Sequence, residues 1–126
     1  MNRLLKLTAI IEAAAGLALM VAPSVVVRLL LGSELDAPTA VMLGRVAGAA
    51  LLALGVACWL ARGDTQSRAA RGLVAVMVLY NVAAVAVLAF VGIGFGLQGV
   101  ALWPAVVLHA AMAVWCIACL RRSPTM

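Results

Sequence analysis

Five side chains able to do chemistry sit inside otherwise apolar stretches of this sequence: Glu12, Arg45, Tyr80, Asn81 and His109. A carboxylate, a guanidinium, a phenol, an amide and an imidazole together offer ion pairing, hydrogen bonding and proton exchange. Glu12 and Arg45 are the natural pair. An isolated charge at membrane depth costs about 2.5–3.5 kcal/mol on insertion scales, and is tolerated when it faces inward and finds a partner. Such a site ties the protonation of Glu12 to whether Arg45 or a ligand occupies the space beside it. One histidine with one glutamate falls short of a metal ligand set. Sulfur forms a second group: Cys116-x-x-Cys119, Met112 one turn earlier, and Cys58 elsewhere. Met112, Cys116 and Cys119 are soft donors that suit Cu(I). A Cys-x-x-Cys near a helix C-terminus lacks the dipole that activates a thiolate, which leaves compact buried packing as the simpler role.

The elements that must position these residues are membrane spans. Hydrophobic residues make up 67% of the chain and charged residues 10%, with a mean hydropathy of +1.23, which excludes a soluble domain. Apolar runs long enough to cross a bilayer occupy about residues 4–22, 39–61, 72–91 and 101–120. Arg3 and Lys6 before the first run resemble the start of a signal peptide, but Glu12 within it favours a retained span. Residues 24–31 are too short to span and carry only Arg28, which predicts an interfacial helix ended by Gly32. Asp36, two residues before Pro38, marks the start of the second span. Within that span, Gly44-x-x-x-Gly48 and Gly55 allow close backbone approach. Residues 62–71 read as a polar basic connection, and the uncharged, glycine-rich stretch 92–99 as a tight turn or short re-entrant segment.

The expected fold is therefore all-α: a single-domain, integral-membrane four-helix bundle with a short interfacial helix between spans 1 and 2. Arg3, Lys6, Arg62, Arg68, Arg71, Arg121 and Arg122 all fall on one side, which places both termini in the cytoplasm. The nine Lys and Arg residues are spread among span ends rather than clustered with exposed aromatics, so nucleic acid is not the expected partner. Trp59, Phe95 and Trp103 fall where interfacial aromatics belong. At 1.5 Å per residue, Glu12 lies about 12 Å from the inner boundary, Asn81 about 13 Å, His109 about 17 Å and Arg45 about 24 Å. The four can then share one layer. Thr8, Glu12 and Gly16 form a small, polar face on the first span that matches Ala105, His109, Met112, Ala113, Cys116 and Cys119 on the fourth.

Four spans in a short chain, with Gly44-Arg45-Val-Ala-Gly48 running on to Gly55, resemble the DoxX-like group of four-helix bacterial membrane proteins. That resemblance covers the first half of the chain. It implies an inner-membrane accessory protein, in some relatives linked to quinone or sulfur redox systems, and assigns no catalytic residue. A glutamate in the first of four spans is also similar to small multidrug transporters, although the residues around Glu12 depart from their pattern. A last-span Cys116-x-x-Cys119 is similar to vitamin-K-reductase-like thiol enzymes, without their loop cysteines.

The expected function is a non-enzymatic binding or accessory role built on Glu12, Arg45, Tyr80, Asn81 and His109. A quinone, a lipid or another hydrophobic small molecule would be the ligand, and a homodimer or a larger membrane complex the assembly. Proton-coupled transport through Glu12 is the alternative, and thiol or quinone redox chemistry at Cys116 and Cys119 a second one. The same polar cluster is also able to act purely as a device that fixes helix register.

Overall fold

The computed structural model describes residues 1–122, all of whose regular structure is helical. Five helices follow in order: α1 Asn2–Val21, α2 Pro23–Leu31, α3 Pro38–Ala61, α4 Arg68–Gly94 and α5 Leu102–Arg122. Helices α1, α3, α4 and α5 are long and apolar enough to cross a membrane, and α2 is the short helix between the first two spans. Large apolar side chains remain exposed all along them, among them Ile10, Leu43, Val56, Leu79, Phe90 and Val107. In water such a surface would aggregate, whereas in a bilayer it is the lipid-facing coat. The chain is a multi-pass membrane protein.

Two helix boundaries differ from those read in the sequence. Helix α4 starts at Arg68, because the Ser67 hydroxyl caps it by accepting from Ala70 N at 3.1 Å. It also runs through Gly92 and Gly94, where a turn was expected, for a total of 27 residues. Glycine is a weak breaker inside an apolar helix. Its length of about 40 Å exceeds the roughly 30 Å hydrocarbon core, so α4 projects beyond it or tilts. At the start of α3, Ala37 is the N-cap and makes no side-chain cap bond, so Asp36 lies one residue too early to serve. Pro38 alone, pre-set for a first helical position, opens the helix.

The helices associate as two pairs, α1 with α3 and α4 with α5, while α3 and α4 barely touch. Backbone-on-backbone contact holds the first pair. A Cβ on Gly48 would lie 2.6 Å from Gly16 O, and one on Gly55 2.8 Å from Ala13 N. Gly16 therefore faces α3 rather than the last span, against the expected pairing of the Thr8–Glu12–Gly16 face with α5. Gly44 meets Pro23 at the start of α2 instead of α1.

The two pairs join at one end only. There Leu4, Leu5 and Ala9 of α1, Cys58 of α3, Val74 and Met77 of α4, and Met112 and Cys116 of α5 form a single buried cluster. At that same end Asn2 donates to Arg62 O at 2.7 Å, and the Arg62 guanidinium stacks 3.8 Å over the Trp59 ring. At the other end the pairs diverge, and α2 lies across the gap. Two carbonyls of its last turn, which have no acceptor role within a helix end, take hydrogen bonds from the α4–α5 connection. Gly99 N donates to Leu30 O at 3.0 Å and Ala101 N to Leu29 O at 2.9 Å. The approach is so close that a Cβ on Gly99 would collide with the Leu29 carbonyl. Gly32, at φ 70°, supplies the left-handed C-cap that lets α2 end there.

Candidate functional site

Where the two helix pairs part, a crevice of about 790 Å³ opens between them. That volume falls within the roughly 300–1,000 Å³ typical of small-molecule sites. All five helices line it. Helix α1 contributes Ile11, Glu12, Ala15 and Leu19, α2 Val26, Leu29 and Leu30, α3 Ala47, Ala50 and Leu51, α4 positions between Tyr80 and Leu88, and α5 Ala105, Leu108 and His109, with Ala101 from the turn before α5. The wall is almost wholly aliphatic, with alanines on α3, α4 and α5 making the room. Its polar groups are Glu12, Tyr80 and His109, gathered where the crevice meets the closed core.

Tyr80 and His109 are held by defined neighbours. Glu12 is only 4% exposed, and Tyr80 lines the crevice with it as a neighbouring polar group. The two residues face the crevice from α1 and α4. Asn81, the next residue, is not part of the crevice wall and is 1% exposed. Its Nδ2 donates to Met77 O at 2.8 Å, and its Oδ1 lies 2.8 Å from His109 Nδ1. The Tyr80 and His109 rings meet edge to face, with centroids 5.5 Å apart and planes at 82°. Tyr80, Asn81 and His109 are thus one connected group from two helices, with Glu12 of α1 beside it on the crevice wall.

Arg45 stands outside it. The structure leaves this residue exposed and away from the crevice wall, and no ion pair joins it to Glu12 among the described residues. The reason is azimuth. At 100° per residue, Arg45 projects about 150° away from Ala47 and Ala50, the positions through which α3 faces the crevice. Its long side chain is placed to reach toward the headgroup layer instead.

The sulfur groups are separate from the crevice. Met112 and Cys116 face the closed core beside Cys58, and Cys119 is half-buried at its margin. No disulfide joins Cys58, Cys116 and Cys119, and no group of three or more His, Cys, Asp or Glu side chains has metal-binding geometry among the described residues. Thr8, one turn from Glu12, was grouped with it by face alone. Its Oγ1 is sealed in the core with no hydrogen-bond partner, a state uncommon for a buried hydroxyl.

Sequence reasoning missed the crevice itself and the part α2 takes in it. The available signal was the spacing of small residues beside Tyr80 and His109, with Ala83, Ala84 and Val87 on one helix and Ala105 and Leu108 on the other. No family model, curated protein or solved structure matches this chain.

Proposed function

We propose that this protein is a non-enzymatic intramembrane binding protein, which holds a hydrophobic small molecule or lipid-like ligand between its two helix pairs. One observation carries the proposal: a crevice of about 790 Å³ with an aliphatic wall ends at three clustered polar side chains. Burying apolar ligand surface there supplies affinity, and the polar end supplies orientation. With the basic ends of the spans in the cytoplasm of a bacterial inner membrane, the crevice opens in the outer half of the bilayer and α2 lies at the outer interface. An accessory role in a larger membrane complex, or a homodimer, fits the same site, because much of the outer helix surface remains free for a partner.

Binding is favoured over proton-coupled transport by the closed end of the molecule. Leu4, Leu5, Val74, Met77 and Cys116 are each no more than 1% exposed, which seals Glu12 from the side opposite the crevice. The same burial of Cys116 favours packing over thiol redox chemistry. Gentle purification followed by native mass spectrometry tests the proposal. Wild-type protein should carry a stoichiometric hydrophobic species that Glu12→Gln or His109→Ala weakens. Protein that is empty in every preparation, with variants that lose only thermal stability, would mean that the cluster serves packing alone.

A further inference from the structure

Which way the hydrogen bonds of the polar end point determines what kind of head group it takes. Asn81 is the anchor. Its amide nitrogen must face the Met77 carbonyl, because the reverse orientation would set two acceptor oxygens 2.8 Å apart. The amide oxygen is therefore the atom turned toward His109, again at 2.8 Å. An oxygen that only accepts requires a proton on Nδ1 of the ring. In the neutral imidazole Nε2 is then left as a lone-pair acceptor.

Nε2 has no hydrogen-bond partner among the described residues, and it is not among the polar atoms sealed in the core. His109 lines the crevice, so that lone pair is available to an occupant. No lysine or arginine lines the crevice, so an anionic head group would find no counter-charge there.

Resting on the crevice as a binding site, we propose that its ligand is a lipophilic molecule whose head group donates a hydrogen bond, an alcohol or an amine, to Nε2 of His109. The Met77 carbonyl and Asn81 act as positioning groups, holding the tautomer that makes this preference. A head that can only accept, such as an ether or a ketone, meets a lone pair with a lone pair.

The test uses the full chain in nanodiscs and three probes: a long-chain alcohol, the amine of the same chain, and the methyl ether of that alcohol. Because the probes partition differently into lipid, each wild-type affinity ratio is compared with the same ratio for His109→Phe, which keeps an aromatic ring and removes the acceptor. Alcohol and amine should each outbind the ether by about five- to tenfold more in wild type than in His109→Phe. In Asn81→Leu the ring is free to present either nitrogen, so the preference should fall while ether binding persists. A loss of folding in one variant leaves the other, and helical circular dichroism reports which has occurred. Equal ratios in wild type and variants, with all probes binding, would overturn the donor-head proposal and leave the crevice as a site. Failure of every probe to bind wild type, while an aliphatic hydrocarbon also fails, would overturn the crevice reading beneath it.

Discussion

Two glycine-to-alanine substitutions in this chain should have opposite effects, although the chemical change is the same. At Gly48 the added Cβ would stand 2.6 Å from Gly16 O, 2.8 Å from Met20 N and 2.9 Å from Leu19 Cβ. Two of those atoms are backbone, so no side-chain rotation relieves the contact. An ordinary carbon-to-oxygen approach is about 3.3 Å or more, so α1 and α3 must separate by roughly 0.7 Å. Overpacking of a tight interface costs about 1–3 kcal/mol. Gly72, exposed in the second turn of α4, has nothing within 4 Å of its would-be Cβ. Alanine there should stabilise the helix by about 0.5–1 kcal/mol, through lower chain entropy in the unfolded state. The two variants should therefore differ by about 1.5–4 kcal/mol in reversible unfolding from mixed micelles. Adding Gly16→Ala to Gly48→Ala should cost less than the sum, since both wedge the same interface apart. A Gly48→Ala protein as stable as wild type would refute the backbone-to-backbone packing of α1 on α3.

Glu12 and Tyr80, neighbours on the crevice wall, should couple in a double-mutant cycle of Glu12→Gln with Tyr80→Phe by about 0.6 kcal/mol and at most about 1.7, as for intramembrane hydrogen bonds. Zero coupling would mean that the two side chains do not interact in the membrane. Arg45→Gln should leave both stability and ligand occupancy within about 0.5 kcal/mol of wild type, because the side chain is exposed and away from the crevice. Loss of ligand in that variant would return Arg45 to the site. Cys58 and Cys116, each 0% exposed, should resist a membrane-permeant maleimide in the folded protein. Half-buried Cys119 should react first, and mass spectrometry of the intact labelled chain orders the three. Rapid labelling of Cys58 would show that the core end is open.

The spans were legible in the sequence because a run of apolar residues long enough to cross a bilayer has few other uses. The mid-membrane layer was legible too, since depth follows from counting residues along a helix. That counting placed Glu12, Asn81, His109 and Arg45 in one layer, and the structure brings the first three together beside Tyr80. Height carries no information about azimuth, which is why Arg45 was grouped with a cluster it faces away from. Azimuth in turn depends on which helix packs on which. The glycines of α3 pointed to a close partner but did not name it, and the partner is α1. The crevice was beyond reach for a further reason. It exists because two tight helix pairs join at one end and splay at the other, and no single segment encodes that divergence. The anchoring of α2 depends on backbone groups of residues 29–30 and 99–101, which side-chain patterns do not report.

The most direct test fills the crevice from its wall. Ala105 lines it from α5 without contributing to the hydrogen-bonded cluster, so Ala105→Phe places an aromatic ring where the ligand is proposed to sit. Native mass spectrometry of gently extracted protein would compare this variant with wild type, alongside their thermal midpoints. The expected result is a stoichiometric hydrophobic adduct on wild type that Ala105→Phe lacks, with the variant as thermally stable as ligand-free wild type. The same adduct retained at full occupancy on a folded Ala105→Phe protein would show that the ligand sits elsewhere.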